Sequence, residues 1–304
     1  MNGFGQPSYR RLGTLVALLA LMCAVLVIQA APASAVSAPN AFTSNICGAN
    51  GCNWHGATNV LNGLEARMND HLGNNVIAVG IQEVCFNQFT ALQSWLAANK
   101  GFPASSGSFW IQSSNASTAC GGQTSWYGTA VFTFTAPQGY DTNQFTAQDG
   151  GELRGHACIQ ADFFGTYWAC TAHMTPTGSI YPGTSLTYGE EQFQEYTNNV
   201  IVPKTSSAVF WGGDTYTVPS RITVAVPNWS YANHLEADRC GGTIDNWTVR
   251  NKANGELTKP DWVFRSGTGR TCGGDATLWP ANSSDMYPVG TYSSDHRIEM
   301  GWWG

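Results

Sequence analysis

Apolar and polar positions along this chain fall into a mixed succession of strand and helix patterns. Residues 58 to 72 place Val60, Leu61, Leu64, Met68 and Leu72 on one face at three- and four-residue steps, which predicts an amphipathic helix starting near Thr58. Residues 76 to 81, Val-Ile-Ala-Val-Gly-Ile, predict a buried strand that delivers Gln82 and Glu83 at its end. A second helix is expected from about Gln88 to Lys100, with Phe89, Leu92, Trp95 and Leu96 inward and Gly101 at the left-handed cap position. Strands are expected near 108 to 112 and 128 to 134. The stretch from Arg154 to Thr171 reads as a hairpin turning near Gly165, with its second strand ending at His173. Residues 187 to 202 predict a helix with Phe193 and Tyr196 inward and Pro203 closing it. Ala208 to Trp211 make a short buried strand running into Gly212-Gly213-Asp214, and Asp261 opens the apolar strand Trp262 to Phe264. Asp295 and His296 precede a last strand carrying Ile298 and Met300. This order argues for the α/β class. There is no internal repeat and no low-complexity tract.

The first 35 residues stand apart. Arg10 and Arg11 precede an uncharged run from Leu12 to Ile28 that ends near Ala33-Ser34-Ala35, the pattern of a secretory signal cut before Val36. No later segment is apolar enough to cross a bilayer. About 269 residues remain, enough for one α/β domain over 36–304, with no linker between motifs. An exported, extracellular protein is expected, and the cysteines agree. Outside the leader there are eight: Cys47, Cys52, Cys85, Cys120, Cys158, Cys170, Cys240 and Cys272. An even number in an exported chain favours disulfides. Sequence does not set the pairing; the expected pairs are Cys47 with Cys52, Cys158 with Cys170 across the hairpin, Cys240 with Cys272, and Cys85 with Cys120.

Removing the leader's two arginines takes the formal charge from -6 to -8 and leaves 12 of 14 lysines and arginines. Tight nonspecific wrapping of a polyanion usually needs many such cations, so the composition argues against it. Hydrolysis of a phosphate ester is still open to such a chain, because a bound cation can supply the local positive field.

Candidate chemistry sits where strands end, in the segments SNICG, IQEV, TAHM, GGDTY, PDWVF and SSDHR. They hold Asn45, Glu83, His173, Asp214, Asp261, Asp295 and His296. Phosphodiester hydrolysis uses these groups: oxygen ligands for a hard divalent cation, a carboxylate to take a proton from water, and a cationic donor for phosphoryl oxygens. Taken singly each has a plainer reading, such as a turn asparagine or a structural histidine. His55, His71, His156 and His234 lack metal-ligand spacing, and no nucleophile elbow or Gly-x-x-x-x-Gly-Lys loop occurs.

In order, these segments resemble the endonuclease/exonuclease/phosphatase superfamily, which includes the pancreatic-type deoxyribonucleases, over roughly residues 40 to 304. The resemblance implies two mixed β-sheets stacked between helical layers, a four-layer α/β sandwich of the deoxyribonuclease-I type. It implies that Asn45, Glu83 and Asp295 hold magnesium, with manganese or calcium as alternatives. By the same likeness Asp214 orients or deprotonates water, His173 donates to a phosphate oxygen, and His296 is base or electrostatic stabiliser with Asp261 hydrogen-bonded behind it. Arg154 corresponds to a family arginine that meets phosphate; a surface arginine is the other reading. Where the family has an asparagine two residues after the aspartate, this chain has Tyr216, with Thr215 or Thr217 as possible compensation. The expected activity is a secreted, monomeric, metal-dependent phosphodiesterase acting on nucleic acid. The alternatives are a phospholipid (sphingomyelin-type) head-group hydrolase, or a catalytically weak binding protein on the same scaffold.

Overall fold

Strand sequences in this chain are apolar on both faces because two sheets pack against each other and each is also covered by helices. The computed structural model describes residues 40–46, 62, 64, 65, 68, 76–113, 126–163, 165–176, 178–231, 233–236, 248–250, 257–267, 277–279, 296 and 298–302. Strands β1 (Asn40–Asn45), β2 (Val76–Cys85), β3 (Ser108–Ser113), β4 (Tyr127–Thr133), β13 (Thr277–Trp279) and β14 (Ile298–Trp302) form one six-stranded sheet, in the order β13-β14-β1-β2-β4-β3. The second sheet holds β5 (Gly139–Gln144), β6 (Gly155–Asp162), β7 (Thr166–His173), β8 (Ala208–Asp214), β9 (His234–Glu236) and β12 (Asp261–Gly267), in the order β5-β6-β7-β8-β12-β9. A two-stranded ribbon, β10 (Val249–Arg250) with β11 (Leu257–Thr258), completes the described strands. Each large sheet is mixed: β1 with β2 and β7 with β8 run parallel, and the other pairs are antiparallel.

Alternation along the strands builds three apolar layers. In β4, β8 and β12 the residues Val131, Phe210 and Val263 point between the sheets, where they meet Ala41, Ile77, Ala157 and Ile159. Their neighbours point outward. Ala130 and Phe132 meet helix α1 (Phe86–Lys100) through Phe89, Leu92 and Leu96, and the buried helical residues Leu64 and Met68 join this layer. Trp211, Trp262 and Phe264 meet Phe193 of helix α2 (Tyr188–Glu195) and Tyr196 just after it. The result is the expected helix-sheet-sheet-helix sandwich.

Local signals explain the boundaries. Helix α1 ends at Gly101, whose φ of 75° is the left-handed cap conformation. Helix α2 opens with a capping box: the Thr187 hydroxyl accepts from the Glu190 N–H, and the Glu190 carboxylate accepts from the Thr187 N–H at 2.9 Å. It runs on as a π-helical turn over Tyr196–Ile201 and a 3-10 turn over Val202–Lys204, so Pro203 lies inside the last turn rather than beyond it. β2 continues past Glu83 to Cys85, beyond the expected end at Ile81. The described elements without a legible pattern include β5, an exposed edge strand, the three-residue β9, and the short helix α3 (Pro219–Ala225). Among the described residues no helix is long and apolar enough to cross a membrane.

Cys158 and Cys170 stand directly opposite in the β6–β7 hairpin and form the expected disulfide. Cys85 is also disulfide-bonded; the other expected pairs involve cysteines outside the described residues. Because the Cys158–Cys170 bond closes a loop with a sequence separation of 12, replacing both cysteines by serine should lower unfolding free energy by about 3 kcal/mol. Urea titration of the variant against the oxidised parent measures it.

Candidate active site

Three adjacent strands of the second sheet put their functional residues in one row. His173 ends β7, Asp214 ends β8 and Asp261 opens β12; the register pairs His173 with Asp214 and Asp214 with Asp261. The Gly-Gly before Asp214 makes this row possible. A Cβ on Gly212 would lie 1.7 Å from the Trp262 carbonyl oxygen, and Gly213, at φ +123°, is 2.1 Å from the Ala172 carbonyl oxygen by the same measure. Side chains there would force β8 away from both neighbours.

The first sheet brings Asn45 and Glu83 to the same place. Asn45 ends β1 beside Gln82, and Glu83 sits in a bulge of β2 between Ile81 and Val84 with a φ of 54°. A bulge re-aims the side chain that a regular strand would send elsewhere. Gln82 ties the sheets together, donating through Nε2 to Thr43 Oγ1 at 2.9 Å and, across the gap, to Thr171 Oγ1 at 2.6 Å. The two sheets then meet at Asn45, whose Nδ2 donates to Glu83 Oε1 at 3.1 Å and to Asp214 Oδ2 at 2.9 Å.

Imidazoles and a guanidinium close the site. His296 Nδ1 lies 2.8 Å from Asp261 Oδ2, and its Nε2 is 3.6 Å from Asp214 Oδ2. Asp261 is itself held by its backbone N–H, which donates to Thr248 Oγ1 at 3.1 Å. His173 Nε2 stands 3.7 Å from Glu83 Oε1 and 3.8 Å from Asp214 Oδ2. Arg154 is buried, not a surface residue, with Nη1 2.9 Å from Nδ1 and 2.8 Å from Nε2 of His173. The Tyr216 ring stacks on His173 with centroids 6.3 Å apart and an interplanar angle of 26°. Asn45, Glu83, Arg154, His173, Asp214, Tyr216, Asp261 and His296 therefore converge, while Asp295 lies outside the described residues.

Four further neighbours were not singled out from sequence: Gln112, Tyr127, Glu152 and Thr248. Gln112 and Tyr127 are buried polar groups in the β3–β4 pair. Their one legible signal was polarity within an apolar run.

Charge crowding shapes the site's acid-base behaviour. Burial pushes the Asp214 carboxyl up to about 7, with Asp261 and Glu83 adding to the rise and His296 and the Asn45 amide opposing it. Burial lowers His173 well below the usual histidine range, helped by Arg154 and His296. Burial, with the Asp214 and Glu83 charges, keeps the Tyr216 phenol protonated far above its ordinary value. Asp214 Oδ1 and Asp261 Oδ1 are buried and have no hydrogen-bond partner. Such orphaned oxygens cost free energy, and carboxylate oxygens of this kind suit a hard divalent cation.

One other group of close donors occurs among the described residues, Asp141, His156 and Cys158. Its sulfur is spent in the disulfide and Asp141 is ion-paired with Lys204. The first group, with Asp214, Asp261 and His296, is the one at the strand ends.

No protein-family model and no curated protein matches the sequence. Solved structures do match. An endonuclease/exonuclease/phosphatase family protein from Leptotrichia buccalis superposes with a TM-score of 0.61 at 15% identity, over 88% of this chain and 100% of its own. The endonuclease/exonuclease/phosphatase from Bacteroides vulgatus gives 0.61 at 16% identity over 86% and 97%. TDP2 of D. rerio, complexed with single strand DNA product, gives 0.60 at 14% over 87% and 98%. The chain has the endonuclease/exonuclease/phosphatase fold. In it, the convergence occurs at one end of the stacked sheets, where β1, β7 and β8 terminate together.

Asp214 gives the site a stability signature in metal-free protein. Between the ordinary 3.8 and about 7 the folded state keeps a proton that the unfolded chain has released, so stability falls as pH rises through that window. Asp214→Asn removes the titration. In chelator, the variant should melt above the wild type at about pH 8 and the gap should shrink toward about pH 5, as followed by circular dichroism.

Proposed function

We propose that this chain is an exported, divalent-cation-dependent phosphoric-ester hydrolase that cleaves phosphodiesters of nucleic acid. The observation that carries the proposal is the junction of Glu83, Asn45 and Asp214 across two sheets, within 4 Å of two imidazoles, beside a buried arginine. Export is supported by the leader-like residues 1–35 and by disulfide use. Nucleic acid is favoured by the fold shared with a TDP2 that holds single strand DNA product.

In this reading Glu83, Asn45 and Asp295 hold the cation, magnesium first, with manganese or calcium as alternatives. When bound, it would polarise a phosphoryl oxygen and offset charge developing there. Asp214 offers the orphaned Oδ1 to a proton of the attacking water, and a carboxyl raised to about 7 is suited to that exchange near neutral pH. Asp261 holds the His296 ring by Nδ1, which turns Nε2 toward Asp214, where it can donate to a phosphoryl oxygen. Arg154 brings a fixed positive charge to the same end. Each group acts more strongly in a buried site than in water.

Two other readings define the outcomes of the test. A lipid head-group hydrolase is favoured by the formal charge of -8 after the leader and by Ile180, 55% exposed in the loop that follows β7. A weak binding protein is favoured by Tyr216. Purified protein should be assayed with plasmid DNA, RNA, sphingomyelin and a chromogenic bis-phosphate ester, with magnesium or chelator. Cleavage of nucleic acid that stops in chelator is expected; turnover of sphingomyelin alone, or silence on every ester with disulfides intact, would replace the proposal. Glu83→Ala and His296→Ala should each lower hydrolysis by at least about 10²-fold, and near-normal rates in either would refute these roles.

Tyr216 has a separate test. Its φ of 51° lies in the left-handed region, where a bulky residue is uncommon and asparagine is enriched. Tyr216→Asn should therefore fit the backbone better and restore a compact amide donor. A gain of about 10-fold or more in kcat, read with the bis-phosphate ester, is expected from one added transition-state donor.

A further inference from the structure

The groups around His173 determine which of its nitrogens carries hydrogen. Glu152 Oε2 lies 3.1 Å from Gln112 Nε2 and 2.9 Å from Arg154 Nη2. An ionised carboxylate only accepts hydrogen bonds, so Gln112 must turn its amino group toward Glu152. Its carbonyl oxygen then faces His173, where Oε1 is 3.2 Å from Nδ1. A carbonyl also only accepts, so Nδ1 must be the protonated nitrogen. Arg154 Nη1 lies 2.9 Å from Nδ1 and 2.8 Å from Nε2, so it stands against both ring nitrogens alike and does not itself choose between the tautomers.

We propose that Glu152 and Gln112 are positioning residues that lock His173 as its Nδ1–H tautomer, leaving a lone pair rather than a proton on Nε2. The network crosses the molecule: Gln112 comes from β3 of the first sheet, His173 from β7 of the second, and Glu152 from the segment between β5 and β6. Gln112 and His173 are each 1% exposed, so water does not compete for their contact. The Glu152 side chain is 38% exposed, so it can be changed without opening the core. Nε2 then turns a lone pair toward the side of Glu83 and Asp214, 3.7 and 3.8 Å away. The kinetic part of this inference rests on the hydrolase reading above; the tautomer does not.

The test is a long-range proton–nitrogen spectrum of histidine-labelled protein at neutral pH, with the His173 signal assigned by its loss in His173→Gln. Wild type should show Nδ1 protonated and Nε2 bare. Glu152→Ala frees the Gln112 amide to turn over, and an Nε2–H form should appear. The exchanged pair Gln112→Glu with Glu152→Gln keeps an acceptor on His173 and a donor between the two side chains, and should restore the Nδ1–H form. On the bis-phosphate ester, kcat/KM should fall about 10- to 100-fold in Glu152→Ala and recover in the exchanged pair. An Nε2–H or doubly protonated ring in wild type, or an unchanged ring in Glu152→Ala, overturns the inference. A protein silent on every ester yet showing the expected spectra would sink the hydrolase reading and leave the tautomer lock standing.

Discussion

One buried amide holds this site together. Asn45 sends both protons of its Nδ2 to carboxylates that belong to different sheets, Glu83 on β2 and Asp214 on β8. Two carboxylates so close would repel, and in a low-dielectric interior the repulsion is strong. Hydrogen bonds to charged groups contribute about 1.5–3 kcal/mol each, so the amide offsets much of that repulsion and also sets the spacing between the sheets at this end. Gln82 makes a second crossing just beneath, to Thr171. Everything that gives the site its chemistry, including the imidazole pair and the buried arginine, is arranged around this junction.

The junction is assembled at the expense of local backbone comfort. Among the described residues only two without a glycine backbone have positive φ, Glu83 at 54° and Tyr216 at 51°. Each such position costs on the order of 1–3 kcal/mol. Both flank His173, one through the Glu83 carboxylate and one through ring stacking. Glycine serves where even that latitude is too small: Gly212 and Gly213 let three strands pass within backbone contact just before Asp214. Strain, missing side chains and unpartnered carboxylate oxygens thus concentrate at a single end of the sandwich, as expected where a surface is shaped for binding or catalysis rather than for stability.

Much of this was legible in the sequence, for physical reasons. Strands apolar throughout mean burial on both faces, and the polar residue that ends such a strand must emerge at the sheet edge; this is how His173, Asp214 and Asp261 were found. The disulfide followed from hairpin symmetry about Gly165. What escaped detection lacked a periodic signature. β5 is an exposed edge whose side chains have no face to match, and β9 is too short for any period. Glu83 was expected at a strand terminus, but a bulge, which leaves no mark in a single sequence, places it inside β2. Gln112, Glu152 and Thr248 act through partners distant in the chain, at separations of 61, 40 and 13 residues for their bonds to His173, Gln112 and Asp261. Such pairing depends on how the two sheets are superposed, which composition and spacing do not encode.

The central claim is that Glu83 of the first sheet holds a cation beside Asp214 and the imidazoles, where a phosphate ester is hydrolysed. Diffraction at the manganese absorption edge, from crystals soaked with manganese and inorganic phosphate, tests it most directly. The account predicts an anomalous peak against Glu83 at the Asn45–Asp214 junction, with phosphate reaching Arg154 and His296. A peak at Asp141 and His156 instead, or none at the junction with the protein otherwise intact, would contradict it.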